Sequence, residues 1–199
     1  MLNDLDFCIF TINVLLKKRE LPLLNHYSYK EVFSFPVKDY YQAVGFDFSK
    51  EDFAIPAQEF IDLYDGGING CTLHNAAIEV LEYFQKQGIR QFVLSAMRQT
   101  MLEKTLKQNN IFNFFEGVAG LNDHYAFSKI ERGKQLLAEF EIEKQNAWMV
   151  GDTIHDFEVA SELGTQCILI ADGHQSEERL KQTGAPIILS LKNMVDFPF

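Results

Sequence analysis

Apolar side chains recur at two different periods along this chain, and the change of period divides it. At the start, Leu2, Leu5, Ile9, Ile12 and Leu16 step by three and four residues, which keeps them on one helical face. Lys17, Lys18 and Arg19 follow, where positive charge suits the last turn of a helix. This spacing predicts a helix over 3–19. "YSYKEVF", "VKDYYQAVG" and "KEDFAIPAQEFIDLYDGG" continue as short helical pieces, broken at Pro36, Gly45 and Gly66-Gly67. No strand is expected in the first seventy residues.

From about residue 73 the pattern alternates. "AAIEVLEYFQKQG" carries apolar residues at helical spacing and stops at Gly88, and "RQFVLSA" then reads as a short buried strand reaching Ser95. The cycle repeats with a helix over 98–109, a strand around "EGVAG", a helix over 129–140, the strand "NAWMVG", a helix over 154–163 and the strand "CILIA". Such alternation predicts an α/β, Rossmann-like three-layer core over 71–199, its parallel sheet covered on both faces. A small all-helical unit over 1–70 precedes it. Ligands of such sheets sit beyond the C-terminal strand ends, which here are Ser95, Gly151-Asp152 and Ala171-Asp172.

Composition narrows the partners. The 199 residues are 47% hydrophobic, enough for a sizeable core, with a formal charge of −10 and a pI near 4.9. That charge repels nucleic acid and anionic membrane surfaces and leaves a small molecule as the expected partner. Cys8, Cys71 and Cys167 are widely spaced and odd in number, which argues against a disulfide framework and against a zinc site, and so for the cytoplasm. No apolar run approaches the ~20 residues of a membrane span. Asp4 and Asp6 stand where a signal peptide would be basic.

The densest chemistry lies in "WMVGDTIHDFEVASELG". An apolar strand ends at Gly151, and Asp152 and Asp156 follow in the loop and first helical turn. Two carboxylates there can share a hard cation such as Mg²⁺, or Asp152 can cap the helix with Asp156 as a solvated first-turn acid. Ser95 and the free amide of Ala96 before the next helix can hold a phosphate, or Ser95 can be a plain cap. Lys129 opens a helix against its dipole and so wants solvent or an anion, with Ser128 able to cap that helix.

In the order Ser95, Lys129, Gly151-Asp152-(x)3-Asp156, the chain resembles the haloacid dehalogenase-like hydrolases, in their phosphoglycolate-phosphatase-like branch. The resemblance spans essentially the whole chain, from the helical insert "EVFSFPVKDYYQAVGFDF" to the tail "ADGHQ". It implies a phosphatase of small phosphorylated metabolites in which Ser95 and Ala96 bind phosphate, Lys129 balances charge, and Asp152 and Asp156 hold Mg²⁺. The first seventy residues become a cap, with Tyr27, Tyr29, Phe33, Phe35, Tyr40 and Tyr41 as its core. The resemblance also implies an aspartate nucleophile on a first strand, in a D-x-D-G-T-like motif.

Asp4 with Asp6 does not fit that motif. Only three residues precede Asp4, too few for a strand of about five, and Phe7-Cys8 replaces the Gly-Thr. "FTINVL" has no acid at the key positions. "MLNDLD" matches the segment just after the motif, so the chain is expected to begin beyond its nucleophile, as a gene model started at an internal Met would produce. The first core strand is then expected to be missing, with the strands ending at Ser95 and Gly151 unpaired and about two strand spacings, ~10 Å, apart. The chain itself is expected to be inactive. The alternative is a non-catalytic protein that keeps a phosphate or metal pocket. His155 is expected to be exposed and His174 to lie at the outer rim, neither with a catalytic role.

Overall fold

The computed structural model describes residues 1–121 and 129–199. Helix α1 (Leu5–Lys18) buries Cys8, Ile9, Ile12, Leu15 and Leu16, the face that the 3-4 spacing marks out. Three further helices wrap this stripe: the short α2 (His26–Val32) and α3 (Val37–Ala43), and the longer α4 (Ala54–Gly67). Tyr29, Tyr40, Tyr41, Val44 and Phe46 close the same apolar cluster. Tyr27 departs from the expectation. It is 77% exposed, because in α2 the residue two positions on, Tyr29, faces the cluster instead.

A two-residue strand, β1 (Leu2–Asn3), pairs antiparallel with β2 (Thr72–Leu73). This corrects the expectation of a helix from residue 3 and of no strand before residue 70. Residues 2–3 run beside the segment that leads out of the helical unit, and pairing satisfies backbone groups that would otherwise be left open.

Beyond β2 the chain alternates as expected, through α5 (Ala77–Lys86), β3 (Phe92–Arg98), α6 (Gln99–Gln108), β4 (Gly117–Leu121), α7 (Lys129–Glu139), β5 (Trp148–Gly151), α8 (Ile154–Leu163) and β6 (Gln166–Ile170), and then adds two short elements that periodicity did not mark, α9 (Glu177–Leu180) and β7 (Ile187–Ile188). All pairs in this region are parallel: β3 with β4, and β5, β6, β7 in that order. Among the described residues no ladder joins β3 to β5, as the sequence reading expected.

Packing against helices holds the two sheet pieces together. On one face α5 sends Val80 and Phe84 to Ile168 of β6, and Leu81 to Leu102, Leu106 and Val93 beside β3. On the other, a Cβ built on Gly133 of α7 would lie 2.6 Å from Leu163 of α8 and 3.0 Å from Leu94 of β3. Cys167 and Leu169 of β6 face Ala160 of α8 and Leu180 of α9, while Ile168 between them faces α5, so the strand is covered on both sides.

Strand β3 does not stop at Ser95. Its register with β4 runs through Leu94↔Ala119, breaks, and resumes at Arg98↔Leu121, so Ser95 and Ala96 lie in a bulge. Such an irregularity has no period for sequence reading to detect. Because, among the described residues, β5 is paired on one side only and β6 on both, hydrogen exchange should separate them. The amides of Cys167 to Leu169 should be the slowest of the sheet, and those of β5 pointing away from β6 markedly faster; equal protection would contradict the divided sheet.

Candidate functional site

The loop after β5 is organised around one buried carboxylate. Asp156, only 5% exposed, accepts through Oδ2 from the Asp152 amide at 3.0 Å, the Thr153 amide at 3.0 Å and the Thr153 hydroxyl at 2.8 Å. Its Oδ1 accepts from Lys129 Nζ at 2.5 Å. Burial pushes the Asp156 carboxyl up, but the Lys129 ammonium and these donors outweigh it and hold it below its usual range. Thr153, not Asp152, is the N-cap of α8, in a capping box with Asp156. Asp156 is likewise not a solvated first-turn acid.

This seat explains why the strand ends in Val-Gly-Asp. A Cβ on Gly151 would fall 2.3 Å from Asp156 Cγ, so only glycine lets the carboxylate lie against the strand end. Gly173 does the same on the other side of the loop, where a Cβ would fall 2.1 Å from Asp152 Oδ2. That oxygen accepts from the His174 amide at 2.8 Å. Among the described residues nothing donates to Asp152 Oδ1, whereas both oxygens of Asp156 are engaged.

His174 extends the network into the helical unit. Its Nε2 lies 3.2 Å from Asp4 Oδ1 and its Nδ1 2.9 Å from the Tyr29 hydroxyl. Asp4 Oδ2 takes the Tyr64 hydroxyl and the Cys8 thiol, the latter at 3.7 Å. Burial pulls His174 down, yet its bond to Asp4 and the charges of Asp152 and Asp4 leave it raised. Burial pushes Asp4 up, yet His174 and Tyr64 leave it lowered. Asp4 is thus part of a tertiary network. It caps α1 by position, with no side-chain capping bond, and spends its carboxylate on tertiary partners. Asp6 pairs with His26 at the exposed surface.

The segment from α2 to Phe35 lies over this network. Arg179 Nη1 donates to the carbonyls of Lys30 at 2.9 Å and Phe33 at 2.7 Å, and Gln175 Nε2 donates to Phe33 O at 2.8 Å. His155 is partly covered, not exposed as expected, because its ring packs 4.8 Å from that of Phe35.

Of the residues singled out from sequence, the structure brings together Lys129, Asp152 and Asp156. No hydrogen bond among the described residues connects Ser95 or Ala96 to them. Ser95 Oγ accepts from the Met97 amide at 3.1 Å, so it caps its own bulge and not α6. Ser128 lies outside the described residues. Asp4, Cys8, Tyr29 and His174 were missed as a group: they come from α1, α2 and the loop after β6, and no spacing links them.

The family model described as haloacid dehalogenase-like hydrolase matches residues 1–170. The chain belongs to that family. Solved structures agree on the fold. A protein from Clostridium acetobutylicum described as a predicted phosphatase superposes with a TM-score of 0.82 at 16% identity, covering 98% of this chain and 92% of that one. A haloacid dehalogenase-like family hydrolase from Streptococcus pneumoniae gives 0.79 at 20%, covering 98% and 92%. A predicted phosphoglycolate phosphatase from Haemophilus somnus gives 0.76 at 17%, also covering 98% and 92%. No curated protein sequence matches. Among the described residues no helix is long and apolar enough to cross a membrane.

Replacing Lys129 by Met should strand the buried Asp156 charge and destabilise the fold by roughly 3 to 5 kcal/mol. The K129M/D156N double variant should recover a large part of that loss, as read from urea unfolding. A K129M effect below about 1 kcal/mol would remove the pair from the centre of the loop.

Proposed function

We propose that this chain is built for Mg²⁺-dependent hydrolysis of a small phosphomonoester, as in phosphoglycolate phosphatases. The observation that carries the reading is the engaged Lys129-Asp156 pair holding Asp152 at a parallel strand end, with one carboxylate oxygen that takes no hydrogen bond from the described residues. A hard cation that keeps much of its water needs only one or two carboxylates, so the residues fit it. Asp152 would hold the ion through Oδ1, and Asp156 would act behind it by fixing the Asp152 amide. When bound, Mg²⁺ supplies charge neutralisation at phosphoryl oxygens.

The chain's own residues supply the rest. Lys129, with its ammonium on Asp156, places positive charge beside the loop and offsets the acids there. Ser95 Oγ and the amide of Ala96, a solvent-exposed residue of β3, are the proposed phosphate donors. Residues 1–70 are proposed as a cap that covers the site and excludes water, with 71–199 as the catalytic core. Three free cysteines suit a cytoplasmic location.

The covalent step needs an aspartate nucleophile, and Asp4 is poorly placed for it. Its carboxylate is taken by Tyr64, Cys8 and His174 at the start of a helix. We therefore assign the nucleophile to none of these residues and expect the 199-residue chain alone to be inactive. A second reading, a non-catalytic phosphate or metal binder, rests on the same observation.

Hydrolysis of p-nitrophenyl phosphate with Mg²⁺ tests the assignment. The 199-residue chain should not exceed the buffer rate. Fusion of an aspartate-bearing strand ahead of Met1 should give turnover that Asp152→Asn lowers by 100-fold or more. Turnover by the 199-residue chain that Asp4→Ala abolishes would refute the placement of the nucleophile, and an inactive fusion that still binds phosphate would favour the binder.

A further inference from the structure

We propose that Asp4, Cys8 and His174 form a site for a thiophilic divalent cation of the zinc type, distinct from Oδ1 of Asp152. One ligand atom from each of the three lies within 4.8 Å of the other two. Asp4 Oδ1 lies 3.2 Å from His174 Nε2 and Asp4 Oδ2 lies 3.7 Å from Cys8 Sγ, so the carboxylate stands between the other two ligands. Metal bonds of about 2.0 Å to N or O and about 2.3 Å to S set tetrahedral edges of about 3.3 to 3.5 Å, which one Asp4 oxygen reaches with small side-chain shifts. Asp4 and Cys8 are four residues apart at the start of α1 and so share one face. His174 reaches them from the loop after β6.

The surroundings suit a metal as well as an internal hydrogen-bond network. Tyr29 engages His174 Nδ1, which leaves Nε2 aimed at the other two ligands, the arrangement by which outer partners orient metal-bound histidines. Tyr64 steadies the Asp4 carboxylate. A carboxylate and a thiolate together cancel a dication, so the buried site closes neutral with neutral imidazole, and binding releases the Cys8 thiol proton to solvent. Water completes the coordination of the neutral site. A thiol and an imidazole select zinc-type ions over Mg²⁺, which wants oxygen. Spacing of the cysteines alone pointed away from zinc. The fold supplies what sequence lacks by bringing His174 to Cys8.

A bound ion here would tie α1 to the loop whose His174 amide holds Asp152, and so join the helical unit to the core. The inference does not depend on the phosphatase reading. Titration of the reduced 199-residue chain with Co²⁺ tests it. The expected result is a thiolate-to-cobalt charge-transfer band that saturates at one equivalent, is abolished in Cys8→Ser and is kept in Cys167→Ser. His174→Gln should weaken Co²⁺ binding by at least ten-fold and serves as the readout if Cys8→Ser does not fold by circular dichroism. Absence of the band, or a band and affinity unchanged in Cys8→Ser or His174→Gln, would overturn the proposal.

Discussion

The arrangement of the site depends on one buried charge. Asp156 sits against the end of β5 with Lys129 on one oxygen and three donors on the other. A lone carboxylate at that depth would be driven to its neutral form, and the neutral form would give up the accepting strength that organises the loop. Lys129 therefore does more than offset a charge. By keeping Asp156 ionised it fixes the amide of Asp152, the cap of α8 and the direction in which Asp152 points.

The same loop is braced from both ends by close approach. Gly151 lets Asp156 touch the strand, and Gly173 lets the His174 amide reach Asp152. His174 then passes the constraint to Asp4 and Tyr29 in the helical unit, while Arg179 and Gln175 hold the carbonyls near Phe33. Below this network the described residues of the core form two sheet pieces, not one ladder. Helices α5 and α7 span them on opposite faces, so apolar packing carries what strand pairing does not.

Periodicity made most of the fold legible. The stripe from Leu5 to Leu16 became the buried face of α1, and the helix and strand limits beyond residue 73 were close to those observed, because each element buries one regular face. Lys129, Asp152 and Asp156 were legible because they lie at the strand ends and helix starts that an α/β pattern predicts. What escaped detection has no period. Ser95 lies in a bulge, β1 and β2 are two residues each, and Tyr27 and Tyr29 differ in burial through a helical phase that a seven-residue segment does not fix. The contact between Asp4 and His174 spans 170 residues and arises only from the way the helical unit folds back over the core.

The central proposal is that Asp156 holds Asp152 so that Oδ1, which takes no hydrogen bond from the described residues, is placed to bind a cation. Mn²⁺ is a spectroscopic stand-in for Mg²⁺, and its binding followed by electron paramagnetic resonance reads that oxygen directly. The account predicts one Mn²⁺ bound by the chain, lost in Asp152→Asn and weakened in Asp156→Asn through disorder of the loop. Mn²⁺ binding unchanged by Asp152→Asn would contradict it.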